Sequence, residues 1–170
     1  MDGYKNEISF IKGKKLKADE LIISKWESYS SSEYAPLKSY NPGTPLLDTN
    51  WGQGTPYNNS CPPDPDTTAL CLVGCNGVAL GQVLNYWECK VFPDNTSSYF
   101  CWSLGLTLTV NYYNRNYDWD DIGSVVSAKA DFLYDCAVAV KSVPFTASNT
   151  YSSIEAVKTA FQTYYGFNPT

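Results

Sequence analysis

An apolar run with two glycines inside it, Asn76-Gly77-Val78-Ala79-Leu80-Gly81-Gln82-Val83-Leu84-Asn85-Tyr86-Trp87, constrains this chain more than any other segment. Val78, Ala79, Val83, Leu84 and Trp87 recur at intervals near the helical repeat, which predicts a helix over residues 76–87. Each internal glycine lowers helix propensity by about 1 kcal/mol. Close packing against another element is the reason for glycine there, so this helix is expected to lie tightly on a neighbour. Gly74 and Cys75 come directly before it, placing one thiol at the helix mouth. The first helical turn presents unpaired N–H groups and about half a positive charge. Both favour thiolate over thiol, and the thiolate is the nucleophile.

The neighbouring segments read less regularly. Residues 34–73 carry seven prolines and almost no periodicity, which predicts an extended, loop-rich stretch. A strand or hairpin is expected within residues 100–110, then an aromatic loop over residues 111–121. A second helix spans residues 124–140, apolar almost all round and hence buried. For a third helix, Ser152 and Glu155 have the spacing of a capping box, Ile154, Val157, Phe161 and Tyr164 or Tyr165 form the apolar face, and Gly166 supplies the stop. Residues 1–33 differ in composition: six of the chain's twelve basic residues fall within residues 5–25. Residues 18–26 read as a short helix and Ser30-Ser31-Ser32 as a linker.

Length and composition narrow the classes. A chain of 170 residues with 44% hydrophobic and 15% aromatic content makes one packed domain, with or without a short extension. A net charge of −5 argues against a nucleic-acid partner, which needs a basic footprint. No apolar run is long enough for a membrane span, and residues 1–10 lack the charged and apolar regions of a signal peptide. Six cysteines permit three disulfides in an oxidising compartment. As a metal set, Cys61, Cys71 and Cys75 lack the paired spacing and the histidines of structural zinc, so no metal or other cofactor is expected. Asn58-Asn59-Ser60 and Asn95-Thr96-Ser97 match glycosylation sequons and are read as turns.

A free cysteine is most often a small buried hydrophobe. Gly74 before Cys75 and the helix after it favour a nucleophile instead, because the thiol is left open to substrate. Acyl transfer also needs donors aimed at the developing oxyanion. Gln53, between two glycines in Trp51-Gly52-Gln53-Gly54-Thr55-Pro56-Tyr57-Asn58, offers a side-chain amide; taken alone it also reads as a solvent-facing turn residue.

Several motifs occur together in order. Leu46-Leu47-Asp48-Thr49-Asn50-Trp51-Gly52-Gln53-Gly54-Thr55-Pro56-Tyr57-Asn58 is followed by Cys61-Pro62, and then by Gly74-Cys75 opening the helix. Asn116-Tyr117-Asp118-Trp119-Asp120-Asp121-Ile122, Leu133-Tyr134-Asp135-Cys136-Ala137-Val138-Ala139-Val140, Ala156-Val157-Lys158 and Tyr165-Gly166-Phe167-Asn168 complete the series. Residues 44–170 thereby resemble the streptopain family, bacterial papain-like cysteine peptidases secreted as zymogens. The resemblance implies an α+β, papain-like fold, Cys75 as nucleophile, Gln53 as oxyanion-hole glutamine, and a protein or peptide substrate. It departs from the family at Asn76-Gly77, where Val-Ala is common, and in the loop of residues 141–149.

The chain contains no histidine. In the family the catalytic histidine follows the segment matching residues 165–170, within a β-rich second half. The resemblance therefore implies the helical, nucleophile-bearing half of the fold, with the β-rich half missing as its natural partner. Residues 34–170 are the partial peptidase domain, and residues 1–33 read either as a propeptide tail or as an unrelated linker. Secretion to the cell surface or beyond follows from the same resemblance. An exposed apolar face would promote self-association. Two rival readings stand beside the peptidase: a catalytically dead remnant that binds peptides or sugars, and a disulfide-rich structural domain.

Overall fold

A computed structural model describes residues 45–89 and 95–167. The chain divides into two units, Met1–Leu46 and Leu47–Thr170, and all described residues except 45 and 46 belong to the second. The helix expected over residues 18–26 and the linker expected within residues 1–33 lie outside the described residues.

The order of elements is α1 (Cys75–Trp87), β1 (Thr96–Cys101), β2 (Leu106–Asn111), a 3-10 turn (Tyr112–Asn114), α2 (Trp119–Ser124), α3 (Val126–Ala139) and α4 (Ile154–Tyr165). This is an α+β arrangement in which α1 and α3 form the centre. The glycines of α1 explain how closely they meet. A Cβ built on Gly77 would stand 3.3 Å from the backbone of Ala137, and one on Gly81 would stand 2.6 Å from Leu133 Cδ2. Position 77 faces 137 and position 81 faces 133, so the two helices run antiparallel. The close neighbour expected from the glycines is therefore α3.

The second expected helix, over residues 124–140, is α3, and the short helix α2 precedes it. Val125 is extended (φ −95°, ψ 123°) and serves as both the C-cap of α2 and the N-cap of α3. Asp118 starts α2 early by accepting from the N–H groups of Asp120 and Asp121 at 3.1 and 3.2 Å. An aspartate at this position caps a helix as well as serine does, so the helix begins inside the segment expected to be loop. The C-terminal part of α3 is buried as expected, with residues 132, 133 and 135–139 inside, while Val126, Ser127 and Asp131 are exposed.

The hairpin runs wider than residues 100–110, with β1 antiparallel to β2 and Tyr99 opposite Leu108. Leu108, Val110 and Cys101 face the core while Thr96, Ser98 and Thr109 face out, the alternation of a half-buried sheet. Tyr112 is fully buried behind it, stacked on Tyr164 with centroids 4.8 Å apart, and its hydroxyl donates to Asp135 O at 2.9 Å. The start of α4 corrects the capping-box expectation. Ser153 is the cap, its Oγ accepting from Ala156 N–H at 3.2 Å, while Ser152 is buried and bonded elsewhere. Gly166 ends α4 in the left-handed region (φ 75°), as expected.

Candidate active site

Three loop segments converge on the start of α1. Residues 49–53 arrive first, tied to the helix by Gln82, whose Oε1 accepts from Thr49 Oγ1 at 2.9 Å and from Trp51 N–H at 3.3 Å. Trp51 is fixed on its other side by α3. Its ring stands edge-on to Phe132 at 6.4 Å, and the Lys129 ammonium lies 5.4 Å from its centroid. Gln53 itself is exposed, and its carbonyl accepts from Val73 N–H at 2.9 Å. The chain leaves Gln53 through a turn in which Tyr57 N–H donates to Gly54 O at 2.8 Å around a cis Thr55–Pro56 bond. Backbone pairing thus holds Gln53 beside Val73, in the segment that leads into Cys75.

Residues 142–152 approach from the other side. Leu72 N–H donates to Thr146 O at 2.9 Å, so residues 72 and 73 are held between the Gln53 loop and this one. The loop is internally braced: Thr150 Oγ1 donates to Thr146 O at 3.1 Å, and Thr146 Oγ1 donates to Asn149 O at 2.7 Å. Asp64, almost fully buried, accepts from Ala147 N–H at 2.7 Å and from Asp66 N–H at 3.0 Å. The Ala147 bond, followed by the Asp66 bond, holds the Asp64 carboxyl below its usual range.

Gly74 and Cys75 sit at the convergence. Gly74 has φ +85° and ψ 144°, and a Cβ there would stand 2.8 Å from Thr150 Cγ2. Only glycine enters this conformation freely. Cys75 is the first residue of α1 and is exposed. None of the other five cysteines is exposed, and all six are free thiols. Burial pushes the thiols of Cys61 up to about 12 and of Cys71 and Cys89 up to about 11, and raises Cys136 as well. A buried thiol in apolar surroundings is inert, and Cys75, at a helix mouth, is the most open of the six.

A second polar network surrounds Asp135. Arg115 makes a two-pronged pair with buried Asp135, Nε to Oδ2 and Nη2 to Oδ1 each at 2.7 Å, and Tyr117 OH donates to Oδ2 at 2.9 Å. Burial raises the Asp135 carboxyl despite these partners. A cleft of about 400 Å³ lies over this network, and an apolar groove of about 490 Å³ runs between Val83 of α1 and Ile154, Val157 and Phe161 of α4. Neither is lined by Cys75 or Gln53. Of the sequon asparagines, Asn58 is buried, with Nδ2 donating to Leu70 O and Cys71 O, and Asn95 Nδ2 donates to Thr163 O.

Sequence reasoning found Cys75, Gln53 and Gly74 but missed how they are held. Gln82, Asp64, Thr150 and Ser152 act through partners 31 to 83 residues away. No local pattern announces such pairs.

An α+β frame with an exposed cysteine opening a central helix is that of the papain-like cysteine peptidases. Two solved structures of interpain A from Prevotella intermedia share the fold. A prointerpain A fragment matches with a TM-score of 0.62 at 22% identity over 71% of this chain, and active wild-type interpain A cysteine protease matches with 0.57 at 24% over 71%. This chain spans 42% and 54% of those two chains. Residues 51–170 match the sequence profile of the peptidase C10 family, and the chain belongs to that family. No curated protein matches it.

Proposed function

We propose that this chain carries the nucleophile of a cysteine-type endopeptidase, with Cys75 attacking a peptide carbonyl and Gln53 sharing the oxyanion with the Cys75 N–H. The observation that carries the reading is the exposure of Cys75 at the mouth of α1 while the other cysteines are wholly or partly buried. Attack by the thiolate would form a thioester to the acyl part of the substrate and release the amine once a proton reaches it. Water would then hydrolyse the thioester and regenerate the thiol. The helix mouth and the Gln53 amide stabilise the negative oxygen of each tetrahedral intermediate.

That proton needs a general acid and base, and these 170 residues contain no histidine. The base therefore comes from protein outside them, and residues 34–170 act as one part of a larger peptidase domain. Loss of a general base typically lowers rate by about 10²–10⁴-fold, and an incomplete cleft loses substrate orientation in addition. Secretion from a bacterial cell as a zymogen, with residues 1–33 as the end of a propeptide, belongs to the same proposal. It rests on family membership and not on a site in this chain.

The experiment is labelling by an epoxide or iodoacetamide inhibitor in protein completed with a histidine-bearing second half. Cys75→Ala should abolish labelling and casein cleavage together. Labelling that persists at another cysteine would falsify the assignment. Gln53→Ala should retain labelling while slowing turnover about 10²–10³-fold, the usual cost of losing one oxyanion donor.

A further inference from the structure

We infer that Asn76 is a positioning residue for Cys75, an assignment that rests on the reading of Cys75 as nucleophile. α1 begins without a side-chain cap: Gly74 has no side chain to offer, and no acidic residue occupies the first turn. An N-cap Ser, Thr, Asp or Asn normally spends its oxygen on an N–H of the first turn. Such a bond would secure the helix start locally. In this chain the helix start is secured from outside.

Asn76 Nδ2 donates to Ser152 O at 2.7 Å and to Ser152 Oγ at 3.1 Å. Both acceptors belong to the braced loop, 76 residues further along the chain. Ser152 is buried, so this is a tie to a fixed wall. On the other side of Cys75, Gly74 presses against Thr150 of the same loop. The residues before and after the nucleophile are therefore both seated on residues 150–152. The backbone of Cys75 is held from two sides, and no cap oxygen is spent on the first turn. A valine or alanine at position 76 has no hydrogen to give Ser152, so this anchor is particular to the amide.

The test is the rate of iodoacetamide alkylation at Cys75 in the full 170-residue chain, followed by peptide mass spectrometry at neutral pH. Partly buried Cys89 is the internal reference. Asn76→Ala should slow Cys75 at neutral pH by about five- to tenfold, the factor implied by losing one or two modest hydrogen bonds. Cys89 should not change. Ser152→Ala keeps the main-chain acceptor, so it should slow Cys75 by a smaller factor. An unchanged Cys75 rate in Asn76→Ala overturns the assignment. So does faster labelling of Cys89 and the buried thiols with no selective loss at Cys75, which is the signature of a loosened fold. Where Asn76→Ala does not fold, Ser152→Ala decides, and an unchanged rate there counts against the proposal. A wild-type chain in which Cys75 does not react at all fails the nucleophile reading itself, a separate outcome.

Discussion

Replacing Gly74 by alanine isolates one contact on which the site depends. Two penalties act at once. The backbone at φ +85°, ψ 144° costs a residue with a Cβ about 1–3 kcal/mol. The new methyl would also stand 2.8 Å from Thr150 Cγ2 and 3.3 Å from Thr150 O, overpacking of a kind that costs about 1–3 kcal/mol. Thr150 cannot turn aside freely, because its Oγ1 both donates to Thr146 O and accepts from Thr146 N–H. The sum is about 2–6 kcal/mol, which with a urea slope of about 1.5–2 kcal/mol/M shifts the unfolding midpoint by about 1–4 M. Thr150→Ser removes the opposing methyl and keeps the hydroxyl. In the double variant the steric part should be relieved while the backbone part remains, giving a favourable coupling of about 1 kcal/mol. A Gly74→Ala midpoint within error of wild type, or zero coupling with Thr150→Ser, refutes the packing argument.

Other outcomes follow from the same geometry. Iodoacetamide at mildly alkaline pH should label Cys75 first, with Cys61 and Cys71 protected until urea unfolds the chain. A thiol raised to about 11 is roughly one-thousandth ionised at pH 8, so early labelling of Cys71 would contradict its burial. Arg115→Met should destabilise by about 1–3 kcal/mol, less than for a fully desolvated pair because the Arg115 side chain is 41% exposed. The sign with pH is fixed by Asp135: its carboxyl is raised in the folded state, so its burial opposes folding increasingly as pH climbs from its unfolded value through its folded one. The variant should therefore lose most at neutral pH and least in acid, as read by urea titrations at both. The 170-residue chain alone should not cleave casein, and turnover by it would sink the requirement for an outside base.

The amino-acid sequence by itself determined the local elements and the chemistry at the helix mouth. Periodicity placed α1 and α4 to within a residue or two, the glycines demanded a close partner for α1, and the order of motifs pointed to the peptidase family. These signals survive without tertiary context because each depends on residues only a few positions apart. Elsewhere tertiary structure decided. The spacing of Ser152 and Glu155 reads as a capping box, yet Ser152 is held by Asn76, far away in sequence, and Ser153 caps α4. The run over residues 124–140 reads as one helix and forms one, α3, but the short helix α2 before it, capped by Asp118 and ended at Val125, falls in the segment read as loop. The same holds for the cysteines: the chain marks Cys75 by its place between Gly74 and a helix, but only packing buries or half-buries the other five. Burial and long-range hydrogen bonds depend on which segments meet, and no short stretch of residues encodes that.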